Sequence, residues 1–124
     1  MAQNARFALS LRVLIFLAAE PEAMHTSMKI AEALDTSPVM VRRAFLQLHE
    51  AGFIAQRKGP SGGARLKLAA REIGLGDLYA ATAGDWFGVE DKAVASLLKR
   101  AQSDAVKAMN ETTLAQVVKR LKKS

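Results

Sequence analysis

The chain has 124 residues, half of them hydrophobic and 6% aromatic, enough for one domain with a core of Ala, Leu, Val, Ile and Met and a terminal extension for assembly. It carries 18 Lys and Arg against 12 Asp and Glu, a formal +6, which points to a polyanionic partner, nucleic acid ahead of an acidic membrane surface. The absence of cysteine excludes disulfides, thiol redox switching and thiolate-ligated metal or iron–sulfur centres.

A first helix is expected from about Asn4 to Ala19. Phe7, Leu11, Leu14, Ile15 and Ala18 form one stripe, while Leu9, Val13, Phe16 and Leu17 make the opposite side apolar as well. A helix apolar over most of its circumference is buried on more than one side, here predicted to be by its own domain and by a second surface. Pro21 ends it. The apolar run from Phe7 to Ala19, interrupted by Ser10 and Arg12, is too short to cross a bilayer. No small-residue cleavage site follows a basic leader, so a soluble intracellular protein without a membrane partner is expected.

Ser27 is the expected N-cap of a short helix from Met28 to Leu34, with Ile30, Ala31 and Leu34 inward. Asp35-Thr36 makes the turn. Ser37-Pro38 then opens another helix, because Ser caps free amides and Pro in the first turn loses no hydrogen bond. Val41, Ala44, Phe45 and Leu48 recur at the spacing of a buried face, which turns Arg42, Arg43 and Gln47 outward. Gly52 stops the helix in a left-handed conformation.

Phe53 to Gln56 and Arg65 to Ala69 read as two strands joined by a loop of three glycines and a proline, an antiparallel hairpin. A small helix from about Leu75 to Ala83 follows, then a break from Gly84 to Gly88. A longer helix from about Glu90 to Met109 places Ala93, Val94, Leu97, Leu98, Ala101, Ala105 and Val106 on one side. Asn110 and Thr112 or Thr113 start a last amphipathic helix through Leu121, ending in a basic run. There is no internal repeat.

Between Arg42 and Arg71 lie seven basic residues and one acid, Glu50, a net +6 that equals the charge of the whole chain. Two short helices, a tight turn and a basic, glycine-tipped hairpin are the parts with which a winged helix-turn-helix meets duplex DNA. The predicted fold is therefore mainly α with a small β-hairpin. Residues 1–84 are assigned to a winged helix-turn-helix domain and 85–124 to dimerisation helices.

Several segments resemble the Rrf2 family of bacterial winged-helix transcription regulators, over nearly the whole length. Asn4-Ala5-Arg6-Phe7-Ala8-Leu9 and Ile30-Ala31-Glu32-Ala33-Leu34 are similar to its first two helices. Ser37-Pro38-Val39-Met40-Val41-Arg42-Arg43 resembles the recognition helix, particularly of the cysteine-free branch. Lys58 to Leu66 is similar to the wing, Ile73-Gly74-Leu75-Gly76-Asp77-Leu78 to the helix after it, and Thr112-Thr113-Leu114-Ala115 to the start of the last helix. The wing followed by the Leu-Gly-Asp segment, in this order, is the specific part. The family's best-known members carry three cysteines after that segment and bind an iron–sulfur cluster. Here Gly84 to Glu90 has none, so no cofactor is expected. Ala64 stands where many relatives place Tyr. The resemblance implies a bacterial cytoplasmic homodimer in which the long penultimate helix crosses its partner.

Arg42 and Arg43 are the main candidates for DNA contact, since arginine offers two parallel donors to guanine or a fork to phosphate. Ser37, Pro38, Val39 and Gln47 on the same helix, and Ser27 on the preceding one, join the set. Arg57, Lys58, Ser61, Gly62, Gly63 and Arg65 form the wing contribution: glycine serves the dihedral angles of the turn and also admits a close phosphate approach, and basic side chains favour a narrow minor groove. Asn4 and Arg6 are placed against the DNA backbone. Val94, Leu97, Leu98, Ala101 and Ala105 are the dimerisation set. Tyr79, Trp86 and Phe87 are candidates either for a pocket taking a small-molecule effector of unknown identity or for a plug between the winged domain and the dimer helix. His25 and His49 lie far apart and suggest no metal site, and no nucleophile–base arrangement or phosphate-cradling motif is present, so no enzyme is expected. The function expected is sequence-specific repression on double-stranded DNA. A protein-interaction adaptor and a non-specific nucleic-acid binder are the rivals, because fold alone does not fix function.

Overall fold

The computed structural model describes residues 3–59, 62–83 and 88–123. In order, α1 (Gln3–Ala19), α2 (Ser27–Leu34) and α3 (Pro38–Glu50) precede a hairpin of β1 (Ile54–Arg57) and β2 (Gly63–Leu66). A single 3-10 turn at Ala70–Glu72 leads to α4 (Leu75–Ala83), α5 (Lys92–Met109) and α6 (Leu114–Lys123). The strands are antiparallel, with Ile54 opposite Leu66 and Arg57 opposite Gly63.

The core is one cluster, and α1 runs through it. Val13, Leu14 and Leu17 of α1 meet Ile30 of α2, Val41 and Leu48 of α3, Ile54 and Leu66 of the hairpin, and Leu78 and Leu114 of α4 and α6. The second apolar side of α1 is therefore met within the same chain. Helices α4 and α6 pack on it, and no large hydrophobic side chain of α1 is exposed among the described residues, which corrects the expectation of a second surface.

Three local starts differ from those read in the sequence. Thr26, not Ser27, caps α2: its hydroxyl accepts from the Lys29 amide at 3.1 Å, and Ser27 is the first helical residue. Ser37 does cap α3, accepting from Met40 N at 3.2 Å. The hairpin is shifted, ending at Leu66 rather than Ala69. Beginning at Gly63 lets Ala64 pair on both edges, with Gln56 of β1 and with His25, whose N–H and C=O each bond Ala64 at 2.9 Å. His25 is buried under Phe16, edge to face, with Nε2 3.3 Å from the Glu20 carbonyl. The wing is thereby tied to the segment after α1.

The third difference concerns Asn110. It does not open α6; Thr113 does, through a reciprocal box with Gln116 (2.9 and 3.3 Å). The Asn110 side chain reaches back 33 residues to α4. Its Oδ1 accepts from Asp77 N at 2.8 Å and its Nδ2 donates to Asp77 Oδ1 at 3.0 Å. Beside it, Leu75 N donates to Thr112 O at 2.9 Å and Leu114 N to Ile73 O at 2.8 Å. Gly74 and Gly76 make room: a Cβ on the first would overlap the Asn110 carboxamide, and one on the second the Val106 carbonyl. The Leu-Gly-Asp segment is thus a socket for the end of α5.

That socket predicts a stability effect. Alanine is intrinsically favoured over glycine in a helix by about 1 kcal/mol. Overpacking against fixed backbone costs about 1–3 kcal/mol. Gly76→Ala is accordingly expected to be net destabilising, seen as a lower denaturant midpoint at an unchanged slope, and a gain in stability would refute the close approach.

Candidate nucleic-acid interface

Helix α3 divides cleanly. Val41, Ala44, Phe45 and Leu48 are buried, while Val39, Arg42, Arg43 and Leu46 are exposed along the opposite side. Two arginines thus flank an apolar line formed by Val39, 48% exposed, and Leu46, 59% exposed. Guanidinium forks with apolar contacts between them suit a major-groove floor of guanine edges and thymine methyls. Leu46 was missed in the sequence, although its spacing of seven from Val39 and three from Arg43 puts it on the same face. Ser37 is exposed and occupied as a cap; Pro38 is half-buried.

Arg6 and Gln47 are drawn together. With Arg43, Met40 and the buried Ser10 they line a cleft of about 160 Å³ between α1 and α3. Arg6 is half-buried, and its Nε donates to Thr82 O of α4 at 3.4 Å, leaving its terminal nitrogens for the cleft. Asn4 is exposed, and its Oδ1 accepts from the Tyr79 hydroxyl at 2.9 Å. Ser27 is half-buried in the first turn of α2.

On the wing, Arg57, Lys58 and Arg65 are exposed. The glycines have separate duties. Gly62 is buried, donates to Gly59 O at 3.0 Å, and a Cβ on it would overlap the Arg57 carbonyl. Gly63, at φ +132°, packs so tightly on His25 that a Cβ would overlap its carbonyl. Both are required by the hairpin's own packing. Gly59, at φ +103°, has open space around it and leaves its backbone accessible. Ser61 lies outside the described residues.

The dimerisation set lies on α5, none of whose residues is buried. Leu97 is 74% exposed and Val94 45%; Ala101 is exposed, and Leu98 and Ala105 are half-buried. Trp86 and Phe87 lie outside the described residues. Tyr79 is held against α1, with its ring centroid 5.0 Å from that of Phe7, in addition to its bond to Asn4.

These features define a winged helix-turn-helix of the kind found in transcription regulators, and similarity to known proteins places it further. The Rrf2 model, described as an iron-dependent transcriptional regulator, matches residues 3–120. The HTH-type transcriptional regulator NsrR of Bacillus subtilis is 35% identical over 82 residues, 65% of this chain and 56% of its own length. The match therefore spans little more than half of that relative. A crystal structure from Lactobacillus plantarum superposes at TM-score 0.76 and 23% identity, covering 94% of this chain and 89% of the other. The structure of CymR, the global cysteine regulator of B. subtilis, superposes at 0.72 and 22%, covering 93% and 94%. The chain belongs to the Rrf2 family, whose matched members are regulators, not enzymes.

The iron in the family's description does not fit the donors of this chain. It has no cysteine and two histidines, one buried against Phe16 and the other exposed on α3. Among the described residues no three His, Asp or Glu side chains converge. Purified protein is expected to carry no stoichiometric iron and to keep DNA affinity under nitric oxide. Iron near one equivalent by elemental analysis would contradict this.

Proposed function

We propose that this protein is a sequence-specific DNA-binding repressor of the bacterial cytoplasm, acting as a homodimer on a two-fold-symmetric operator. Residues 1–84 provide the DNA-reading surface. Residues 85–124 provide the dimer helix α5 and the returning helix α6. The observation that carries the reading is the outer face of α3, with Arg42 and Arg43 around Val39 and Leu46, beside exposed Arg57 and Lys58 on the wing. Recognition-helix residues would take the major groove and the wing the adjacent backbone or minor groove. A second support is the exposed apolar side of α5, the kind of patch that marks an interface.

Selection from a random duplex pool tests the reading. The expected outcome is an enriched palindrome that resists competition by unrelated DNA. Placed over a promoter, it should lower reporter expression when the protein is present. Enrichment of no sequence would leave a non-specific binder, and no retention of duplex at all would refute DNA binding.

A further inference from the structure

We propose that Asn110 is a positioning residue for DNA recognition, a latch that sets the angle of α5 on the winged domain and thereby the half-site spacing the protein accepts. This inference rests on the dimeric, DNA-binding reading above. The residue in the N-cap position of α4 is Gly74, which has no side chain to cap with, and Asn110 fills the space a side chain would need. The amide of Asp77, in the first turn of α4, is instead satisfied by Asn110 Oδ1 from the end of α5, and Asn110 Nδ2 returns a bond to Asp77 Oδ1. Any Ser, Thr or Asp at the cap position would satisfy such amides locally. Supplying the acceptor from 33 residues away makes helix capping and interhelix geometry one interaction.

The consequence is directional. Asn110 continues α5, its amide bonded to Val106 O at 2.9 Å, so its side chain fixes one end of an 18-residue helix. That helix is about 27 Å long, and a swing of about 10° at the latch moves its far end by about 5 Å. The rise per base pair is only about 3.4 Å. Since α4 packs on α1 and α1 on α3, the latch lies on the packed route from the dimer helix to the recognition helix.

The test uses the full chain and the palindrome enriched from a random duplex pool, with its halves moved apart in one-base-pair steps. Wild type is expected to lose about tenfold in affinity one step from its optimum. Asn110→Ala should retain its dimer and its affinity for a single half-site while the loss per step falls to about threefold or less, or the optimum moves. Asn110→Asp, which sets two carboxylates together, should behave likewise. Combining it with Asp77→Asn keeps the backbone amide of residue 77 donating to Oδ1 of residue 110 and reverses the side-chain bond, with residue 77 now the donor, and should restore the wild-type profile even if Asn110→Ala is poorly folded. Unchanged profiles in both single variants, or lower melting temperature with the same spacing optimum and steepness, would overturn the latch. Wild type with no spacing preference would instead overturn the dimeric operator reading on which it rests.

Discussion

Replacing Leu97 and Leu98 with glutamate is expected to turn a dimer into a monomer and to weaken operator binding far more than any change on the wing. Leu97 is 74% exposed in the single chain, with Val94 one turn before it and Ala101 one turn after. Burying a leucine side chain is worth about 1.5–3 kcal/mol, and two-fold symmetry counts each position twice. Leu98 is already half-buried in the single chain, so the gain comes mainly from the two copies of Leu97, roughly 3–6 kcal/mol of gross interface stabilisation, against which four carboxylates would be desolvated at one seam. The monomer's own fold should tolerate Leu97→Glu, because glutamate matches leucine in helix propensity and the site touches little within the chain. Loss of the dimer removes the second half-site contact, which contributes about 10²–10⁴ in avidity. Sedimentation at micromolar concentration reads the first effect and titration of the palindrome the second. A wild-type monomer, or a variant that still dimerises, would sink the assignment of α5.

The second large effect separates reading from positioning. Arg42→Ala is expected to cost about 1–3 kcal/mol on the preferred site, little on random DNA, and to relax the choice of base at one position. Arg42 stands beside exposed Val39 and Leu46 on a helix whose other side is locked in the core, so its fork has a fixed platform. Lys58→Ala should weaken all sequences alike. Each neutralised phosphate contributes roughly −0.9 to the slope of log K against log salt, so that slope should flatten by about one unit. Equal losses for both variants on specific and random duplexes would mean that Arg42 touches only the backbone.

Helix α3 is the element most legible in the sequence. Ser37-Pro38 marks its start, four apolar residues at helical spacing mark its buried side, and the arginines follow on the other. The extents of α4 and α5 were nearly as clear, and the basic hairpin was recognisable from its glycines and charge. Such features are local: capping, periodicity and turn chemistry act within a few residues, so the sequence order carries them directly. Leu46 was equally local and could have been found by extending the same spacing.

What the tertiary structure alone decided involves partners far apart in the chain. Ser27 is the cap expected for α2 from the sequence, but the chain, held at His25 by its pairing with Ala64, enters the helix one residue earlier and Thr26 caps it. Gly62 and Gly63 stand out in the sequence as hairpin glycines, but only the fold brings the Arg57 and His25 carbonyls to their Cβ positions. The second apolar side of α1 suggested another molecule, but α4 and α6 return from the other end of the chain to cover it. Asn110 had every local mark of a cap for the helix that follows it. It caps α4 instead, because the α5–α6 turn brings its carboxamide over two glycines that leave room for it. Composition and periodicity determined which surfaces exist; chain closure, where a donor meets an acceptor tens of residues away, determined which of them are already filled.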